Sequence, residues 1–213
     1  MPQRARELSQ VGGVILAAGA SSRMGRPKGA LPLNPQGETV IQRVVRVMFE
    51  AGVPRVVVVV GAHPGVADSV DLADRRVRIV PHPGWAEGQL SSLQCGLRAL
   101  RQDGAVEGAM VTLVDVPLVR PETVVQLLEA WQRTGAPIIR PMRGGSHGHP
   151  VLFDAAVLPA LLAADPQYGA KPVLRAHEPQ IVNVLVEDAG AFFDLDTPDD
   201  YARALRMGAP DLA

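Results

Sequence analysis

The stretch Val14–Leu31, VILAAGASSRMGRPKGAL, passes directly from a purely apolar run into a glycine-rich, basic loop. The apolar run predicts a strand that is covered on both faces. Ordering a loop of this composition costs conformational entropy, so we expect a ligand to bind there and order it. In an α/β sheet, ligands collect beyond the carboxyl ends of the strands, and this loop follows the first one.

Short apolar runs alternate with longer segments of helical period along the rest of the chain. Strands are predicted at GVILAA (13–18), Arg55–Gly61, Arg76–Val80, Ala109–Asp115, Pro137–Pro141 and His149–Phe153. Helices are predicted at Glu38–Ala51, Leu90–Leu100, Pro121–Arg133, Ala155–Ala164, Lys171–His177 and Pro198–Leu205. This order predicts an α/β protein with a three-layer, doubly wound, mostly parallel sheet. The two strands joined through glycines between 137 and 153 break the alternation of strands and helices, and they predict that the sheet is mixed rather than purely parallel in this region.

Composition narrows the class of protein. The 213 residues carry 21 basic and 22 acidic side chains, so no basic surplus indicates nucleic acid as a partner. No segment reaches the roughly 18 apolar residues of a membrane span, and the polar first residues do not resemble a signal peptide. The single cysteine, Cys95, excludes an intrachain disulfide and is typical of a reducing compartment. We therefore expect a cytoplasmic, single-domain protein with no membrane partner.

The loop after the first strand has the chemistry of a polyphosphate site. Gly19 and Gly25 permit close backbone approach, so that successive N–H groups can surround an anion. Arg23 and Lys28 add fixed positive charge. The spacing fits neither the P-loop nor the G-x-G-x-x-G fingerprint of dinucleotide-binding folds. The alternative is a solvated surface loop with incidental charges.

Two aspartates are candidate metal ligands. Asp115 ends an apolar strand in LVDVP, where a carboxylate is costly unless it faces a ligand or a cation, although it could instead cap the next helix. In FDLDTPDDY, helix-start chemistry accounts for Asp199 and Asp200 but leaves Asp196 unexplained. If Asp196 faces Asp115 across the end of the sheet, the pair suits Mg²⁺, which keeps waters and bridges phosphates.

Four motifs carry a resemblance to a known family. LAAGASSRMGRPK (Leu16–Lys28) resembles the opening loop of nucleotidyltransferases with the glycosyltransferase-A-like fold, a Rossmann-like architecture. GWAEGQLSSLQCGL (Gly84–Leu97), GGSHGHPVLF (Gly144–Phe153) and DLDTPDDY (Asp194–Tyr201) follow in the order found in the molybdenum cofactor cytidylyltransferase group. The resemblance covers residues 11–206, which it makes one nucleotidyltransferase domain between an extension at 1–10 and a tail at 207–213.

The resemblance implies Mg²⁺-dependent nucleotidyl transfer from a nucleoside triphosphate. Lys28 would act on the α-phosphate, Arg23 would hold the departing phosphates, and Asp115 and Asp196 would carry Mg²⁺. The predicted nucleotide-binding residues are Leu16, Ala17, Ala18, Gly19, Gly25 and Gly61. Guanylyl-transferring relatives carry L-A-G-G and a later D-K; Ala18 and Pro27 stand at those places here, which favours CTP over GTP.

The acceptor implied by the resemblance is a molybdopterin-type phosphate, with a molybdoenzyme or its chaperone as a further partner. Ser91, Ser92 and His149 are the candidate acceptor-binding residues. The two serines could equally be an N-cap pair, and His149 could be a buried or turn histidine without a ligand.

Three other functions stay open at the level of sequence. One is a sugar-phosphate nucleotidyltransferase, which shares the opening loop. A second is a molybdenum cofactor guanylyltransferase that uses GTP. The third is a nucleotide-binding or cofactor-delivery protein without catalysis, although Arg23, Lys28 and both candidate metal ligands are present.

Overall fold

The computed structural model of the protein describes residues 7–70 and 74–207. Its strands are β1 (Val11–Ala17), β2 (Val56–Val60), β3 (Val77–Pro81), β4 (Gly108–Leu113), β5 (Ile138–Arg143), β6 (Ser146–His147), β7 (Val151–Asp154) and β8 (Ile181–Leu185). Its α-helices are α1 (Val40–Glu50), α2 (Gln89–Gln102), α3 (Pro121–Thr134), α4 (Leu158–Ala163), α5 (Lys171–His177) and α6 (Pro198–Met207). Most of the predicted extension and tail, residues 1–6 and 208–213, lie outside the described residues.

The strands form one mixed, mostly parallel sheet with the order β3-β2-β1-β4-β7-β5-β6, and β8 lies beside β5. β3, β2, β1 and β4 are parallel neighbours, and β8 is parallel to β5. β7 is antiparallel to both β4 and β5. The predicted α/β class and the predicted mixed region of the sheet are therefore confirmed, and the carboxyl ends of β1, β2 and β4 meet at one edge.

Apolar clusters cover both faces of the sheet. One cluster takes Ile41 and Val44 from α1 and Leu127 and Trp131 from α3. The other takes residues of α2, α4 and α5, with Leu97 fully buried at its centre. Helices on two sides of a sheet make three layers, and this explains why the central strands are continuous apolar runs. No helix in the described part of the chain is long and apolar enough to cross a membrane.

Two local differences from the predicted elements have physical reasons. Strand β8 was not predicted, because Ile181–Leu185 lies at one side of β5, alternates between half-buried and exposed positions, and lacks the continuous apolar run of a central strand. Helix α4 begins at Leu158 rather than Ala155, because the Asp154 carboxylate accepts a hydrogen bond from Ala156 N and holds a turn there. Neither difference moves the carboxyl edge of β1 and β4.

The segment between β5 and β7 depends on glycine. Gly144 and Gly145 have φ of 55° and 82°, which lets β5 turn tightly into β6. A Cβ on Gly148 would lie 2.2 Å from the backbone oxygen of Ala191, so the chain at Gly148 packs directly against the 189–192 turn. This contact joins the β6–β7 connection to the segment that leads into Asp194 and Asp196.

Candidate active site

The loop after β1 is held in place by both side-chain and backbone contacts. Met24 is buried in a third apolar cluster, which anchors the middle of the loop. The Ser21 hydroxyl accepts a hydrogen bond from Lys28 N at 3.2 Å. His63 Nε2 lies 2.9 Å from the backbone oxygen of Ala20 and donates to it, because a carbonyl only accepts. Gly25, with φ of 70°, supplies a backbone conformation that side chains disfavour.

A cavity of about 510 Å³ opens between this loop and the carboxyl ends of β1 and β4. Its walls combine backbone-rich loop residues, basic and acidic side chains and the start of α2. The lining includes Leu16, Ala17, Ala18, Gly19, Ser21, Arg23, Lys28, His63, Trp85, Gln89, Ser92, Asp115, Asp194 and Asp196. The volume lies within the range of small-molecule binding sites.

Lys28 connects the two predicted metal ligands. Its Nζ lies 2.6 Å from Asp196 Oδ1 and 3.5 Å from Asp115 Oδ2, and the residue is only 8% exposed. Arg23 reaches the same carboxylate, with Nη2 at 2.8 Å from Asp196 Oδ2. The side chains that sequence assigned to phosphate and to metal are therefore in one network at the mouth of the cavity.

Backbone pairing brings Asp196 to Asp115 across a long stretch of chain. Leu195 N donates a hydrogen bond to the backbone oxygen of Asp115 at 2.7 Å. Phe193 and Leu195 are buried in the third apolar cluster, so the alternating Asp194 and Asp196 face the other way, into the cavity.

The environment of Asp115 fits a bound cation. Its Oδ1 is buried and has no hydrogen-bond partner among residues 7–70 and 74–207. Burial raises the pKa of this carboxyl group; Lys28 opposes the rise, and the negative charges of Asp194 and Asp196 add to it. A divalent cation would neutralise this excess of carboxylates and bind the orphaned oxygen.

The described residues contain no group of three or more His, Cys, Asp or Glu side chains arranged as a metal cage. The donor set at the cavity is therefore sparse. Sparse carboxylate sets suit Mg²⁺, which keeps several waters and takes other ligands from substrate phosphates. A metal held by Asp115 and Asp196 would therefore need its remaining ligands from water and from a bound nucleotide.

The structure brings most of the predicted site residues to the cavity. Those that line it are Leu16, Ala17, Ala18, Gly19, Arg23, Lys28, Ser92, Asp115 and Asp196. His149 lines a second cavity of about 290 Å³, which adjoins the first and shares Leu16, Gln89 and Leu113 with it.

Three predicted residues lie apart from both sets of lining residues. The Ser91 hydroxyl donates to the backbone oxygen of Gly88 at 2.7 Å and lies 3.0 Å from His82 Nε2, so it fastens the start of α2. Gly61 packs tightly against Trp85 and the Ala18 carbonyl, where a Cβ would lie 2.6 Å from both. Gly25 shapes the loop from outside the cavity wall.

Sequence reasoning did not assign a site role to Asp194, which lines the first cavity and lies close enough to Asp115 to influence its pKa. The signal was present, since Asp194 and Asp196 are two residues apart in an extended segment and share a face. Arg140 was also missed; it lines the second cavity although it lies on β5 inside the predicted strand. A basic residue within an apolar run was the available signal.

Comparison with known proteins places these features in a family. Residues 13–181 match the MobA-like NTP transferase domain. The chain is 36% identical to the probable molybdenum cofactor guanylyltransferase of Mycolicibacterium paratuberculosis, over 65% of the chain and 66% of that relative, slightly less than two thirds of its length. It is 32% identical to the nicotine blue oxidoreductase of Paenarthrobacter nicotinovorans, over 93% of the chain and 98% of the relative. It is 26% identical to the molybdenum cofactor cytidylyltransferase of Escherichia coli, over 92% and 96%.

Solved structures show the same architecture. Rv0371c from Mycobacterium tuberculosis superposes with a TM-score of 0.78 at 26% identity, covering 94% of this chain and 100% of that one. A nucleotidyl transferase from Methanothermobacter thermautotroptrophicus also gives a TM-score of 0.78 at 26% identity, covering 95% and 99%. The predicted glycosyltransferase-A-like fold is confirmed.

Proposed function

The chain belongs to the MobA-like NTP transferase family, and from this premise we propose that it transfers the cytidylyl group of CTP to the terminal phosphate of a molybdopterin-type acceptor. An oxygen of the acceptor phosphate attacks the α-phosphorus of CTP. The bond from that phosphorus to the bridging oxygen of the β-phosphate breaks, and pyrophosphate leaves with the electron pair. This chemistry needs positioning and charge neutralisation more than covalent help from the protein.

The observation that carries the proposal is the network of Lys28, Arg23, Asp115 and Asp196 beside a backbone-lined loop. Lys28 is buried and fixed, so it is placed to hold negative charge that grows on the α-phosphate during the reaction. Arg23 is 67% exposed at its side chain and lies at the outer end of the network, where the departing β- and γ-phosphates would lie. The backbone around Gly19 completes the phosphate site from the other side.

We propose that Asp115 and Asp196 hold Mg²⁺ when nucleotide binds. When bound, the ion neutralises phosphate charge at the centre of the reaction. The buried, unpartnered Oδ1 of Asp115 supports this choice. Rv0371c, whose fold the chain shares, has also been crystallised in complex with manganese.

The choice of CTP rests on the opening loop. The family resemblance implies glycine and aspartate in guanylyl-transferring members at the places where this chain has Ala18 and Pro27. Ala18 is 4% exposed and its backbone oxygen accepts a hydrogen bond from Ala62 N at 3.0 Å, so this end of β1 is fixed against the start of the next loop. A relative named as a guanylyltransferase and one named as a cytidylyltransferase both match, so GTP is the direct competitor to test.

Titration calorimetry tests the nucleotide half of the proposal. The protein is titrated with CTP, GTP, ATP and UTP in Mg²⁺, and again in EDTA. NADPH joins the panel because one full-length relative is named as an oxidoreductase. We expect metal-dependent binding of CTP at least about tenfold tighter than that of GTP, a difference of about 1.4 kcal/mol.

Two matched aspartate substitutions test whether Mg²⁺ acts at Asp115. Asp115→Asn removes a charge from the network, whereas Asp199→Asn removes one from an exposed position of α6 outside the cavity. Only the first change is expected to abolish the effect of Mg²⁺. Preference for GTP would move the protein to the guanylyl-transferring branch, and binding of NADPH without any nucleoside triphosphate would contradict nucleotidyl transfer. With CTP bound, turnover of sugar phosphates in place of molybdopterin would change the acceptor class.

A further inference from the structure

Helix α6 (Pro198–Met207), near the carboxyl end of the chain, packs against the basic loop that follows β1. Met24 of the loop and Ala204 of α6 are both buried in the third apolar cluster, and Tyr201 of α6 is partly buried against it. The helix lies beyond residues 13–181, the part of the chain that matches the family domain. Its contact with the loop is therefore a feature of this chain that the domain match does not describe.

Tyr201 makes two directed contacts with the loop and its continuation. Its hydroxyl donates a hydrogen bond to the backbone oxygen of Pro32 at 2.5 Å. The central guanidinium carbon of Arg26 lies 5.5 Å from the centre of its ring, which is within the range of a cation–π interaction. Arg26 precedes Lys28 in the sequence and Pro32 follows it, so this one side chain contacts the backbone or side chains on both sides of Lys28.

The loop carries three cations in six residues, and their mutual repulsion favours an open loop unless each has a partner. Arg23 and Lys28 pair with Asp196, whereas Arg26 lies over the ring of Tyr201. In the proposed reaction Arg23 and Lys28 turn to phosphate, so their pairs with Asp196 cannot hold the loop throughout. Among the described residues, Arg26 lies outside the set that lines the nucleotide cavity, so its contact with Tyr201 can persist while a nucleotide is bound.

The first turn of α6 connects Tyr201 rigidly to Asp196. Thr197 and Asp200 cap each other: Thr197 N and its hydroxyl donate to Asp200 Oδ2 at 3.0 and 2.7 Å, and Asp200 N donates to Thr197 Oγ1 at 3.2 Å. Asp196 N donates to the same carboxylate oxygen at 3.3 Å, and Tyr201 N donates to the Thr197 backbone oxygen at 3.0 Å. The carboxylate at the cavity and the aromatic ring on the loop are therefore held by one short, fully bonded turn.

From these contacts we propose that α6 holds the basic loop in the conformation that receives the phosphates, with Tyr201 as the positioning residue. The inference deepens the proposed function and rests on it, since it concerns the state of the loop that binds the triphosphate. Molecules with an open loop cannot bind, so weakening the contact lowers the apparent affinity for nucleotide in proportion to the fraction that stays closed. A bound triphosphate itself holds Arg23 and Lys28, so the transfer step should then proceed at nearly its usual rate.

Hydrogen exchange followed by mass spectrometry tests the state of the loop without any ligand. The backbone amides of Lys28 and Leu31 are both hydrogen-bonded, to Ser21 Oγ and to the Lys28 backbone oxygen. We expect them to exchange at least about tenfold faster in Tyr201→Leu. Tyr201→Phe keeps the ring beside the guanidinium and should stay within about threefold of the wild type. Tyr168→Leu, which changes the other tyrosine of the sequence at a 70% exposed position, is the matched control and should exchange like the wild type.

Steady-state kinetics of pyrophosphate release on the same variants separates positioning from catalysis. We expect Tyr201→Leu to raise KM for CTP roughly tenfold and to leave kcat within about threefold of the wild type. Tyr168→Leu should change neither constant. Thermal unfolding verifies that each variant is folded. If Tyr201→Leu does not fold, Arg26→Met removes the same contact from the exposed side of the loop and carries the same expectations.

Three results would overturn the positioning role even if CTP binds. They are equal exchange of the loop amides in Tyr201→Leu and the wild type, equal losses in Tyr201→Leu and Tyr201→Phe, and a fall in kcat at unchanged KM. Faster exchange of the loop in Tyr201→Leu, in a protein whose wild type binds no nucleoside triphosphate, would support the hold of α6 on the loop and overturn cytidylyl transfer.

Discussion

Lys28 is the residue on which the candidate site depends most. In the absence of substrate it pairs with Asp196 and lies 3.5 Å from Asp115, so it occupies the position of a positive charge between two carboxylates. An incoming triphosphate and its cation would change these partners, with the cation on the carboxylates and Lys28 on phosphate. In the proposed reaction, the lysine is thus held ready by the two carboxylates that would bind the metal.

Replacing Lys28 by methionine tests this role. We expect Lys28→Met to lower kcat for cytidylyl transfer by roughly 10²–10³-fold, the usual cost of one stabilising group at a developing charge. The remaining carboxylates, relieved of their lysine, should bind Mn²⁺ at least as tightly, as measured by electron paramagnetic resonance. Lys171→Met, which changes the other lysine of the sequence on the exposed start of α5, is the matched control. Equal kcat in the two variants would remove Lys28 from the mechanism.

The stability of the folded protein depends on pH through Asp115. Its native pKa is raised above the usual 3.8 by burial, so the folded protein binds this proton more tightly than the unfolded chain. Stability therefore falls as pH rises from about 3.8 through the raised native pKa, and the cost is complete above it.

In EDTA we accordingly expect Asp115→Asn to be more stable than the wild type at pH 7, with the advantage vanishing below about pH 4 because both side chains are then neutral. Urea unfolding across this pH range measures the difference. Addition of Mg²⁺ at pH 7 should stabilise the wild type but not Asp115→Asn. A variant less stable than the wild type at pH 7 in EDTA would mean that Lys28 outweighs burial.

At the scale of elements, Asp188 connects the start of α3 to the segment that leads to Asp194 and Asp196. Its carboxylate accepts hydrogen bonds from Arg120 N, the Thr123 hydroxyl and Gly190 N, at 2.9, 2.7 and 2.9 Å. The chain from Gly190 to Asp196 follows directly, so the position of Asp196 depends on this connection. Because this buried carboxylate satisfies three donors, we expect its loss to displace Asp196 at the site as well.

We expect Asp188→Ala to lower the free energy of unfolding by about 3 kcal/mol, because three donors lose a charged acceptor. It should also weaken Mn²⁺ binding, since Asp196 is no longer held. Asp165→Ala is the control: Asp165 makes one capping bond, to Gln167 N at 2.9 Å, on an exposed turn, and should cost about 1 kcal/mol or less. Denaturant unfolding measures the free energy of unfolding of both variants. Equal losses in the two would show that Asp188 does not hold this connection together.

The elements themselves were largely predictable from sequence. Val56–Val60 and Gly108–Leu113 are buried on both faces. Continuous apolar runs of this kind, flanked by segments of helical period, predict the buried strands of an α/β sheet. Strand β8 could not be found in this way, because its stability comes from pairing with β5 and not from its own pattern. The sequence predicted that two strands between 137 and 153 break the βα alternation, but not that β5 pairs with β7. Glycines such as Gly144 indicate a turn but do not determine which strand the chain pairs with.

At the scale of the molecule, the site unites residues that are about 170 positions apart in sequence, from Arg23 to Asp196. From the sequence we considered that Asp196 could face Asp115 across the end of the sheet, because helix-start chemistry left Asp196 unexplained, and the structure places both side chains at the first cavity. The sequence did not predict the direct contacts of Lys28 with both aspartates, nor the division of the space into two adjoining cavities. Those features depend on side-chain directions and on how α2 and α5 lie against the sheet.

Binding at a site made from so many parts of the chain should stabilise the whole fold. At a CTP concentration of 100 times Kd with Mg²⁺, we expect a gain of about 2.7 kcal/mol, which for a chain of this size raises Tm by roughly 5–10 °C. Differential scanning fluorimetry with and without EDTA measures the shift. Asp199→Asn should show the full shift and Asp196→Asn little of it; equal shifts in the two variants would place the nucleotide elsewhere.

Above all, we propose that this cleft joins a nucleotide to a phosphate acceptor. The most direct measurement is of pyrophosphate released from CTP in the presence of Mg²⁺, with and without purified molybdopterin, together with detection of the cytidylylated pterin by mass spectrometry. We predict that pyrophosphate and the cytidylylated pterin form in equal amounts, only with molybdopterin present, and at a rate lowered at least about a hundredfold in Lys28→Met. Absence of the dinucleotide product at saturating CTP and molybdopterin, or a rate that Lys28→Met leaves unchanged, would contradict the claim.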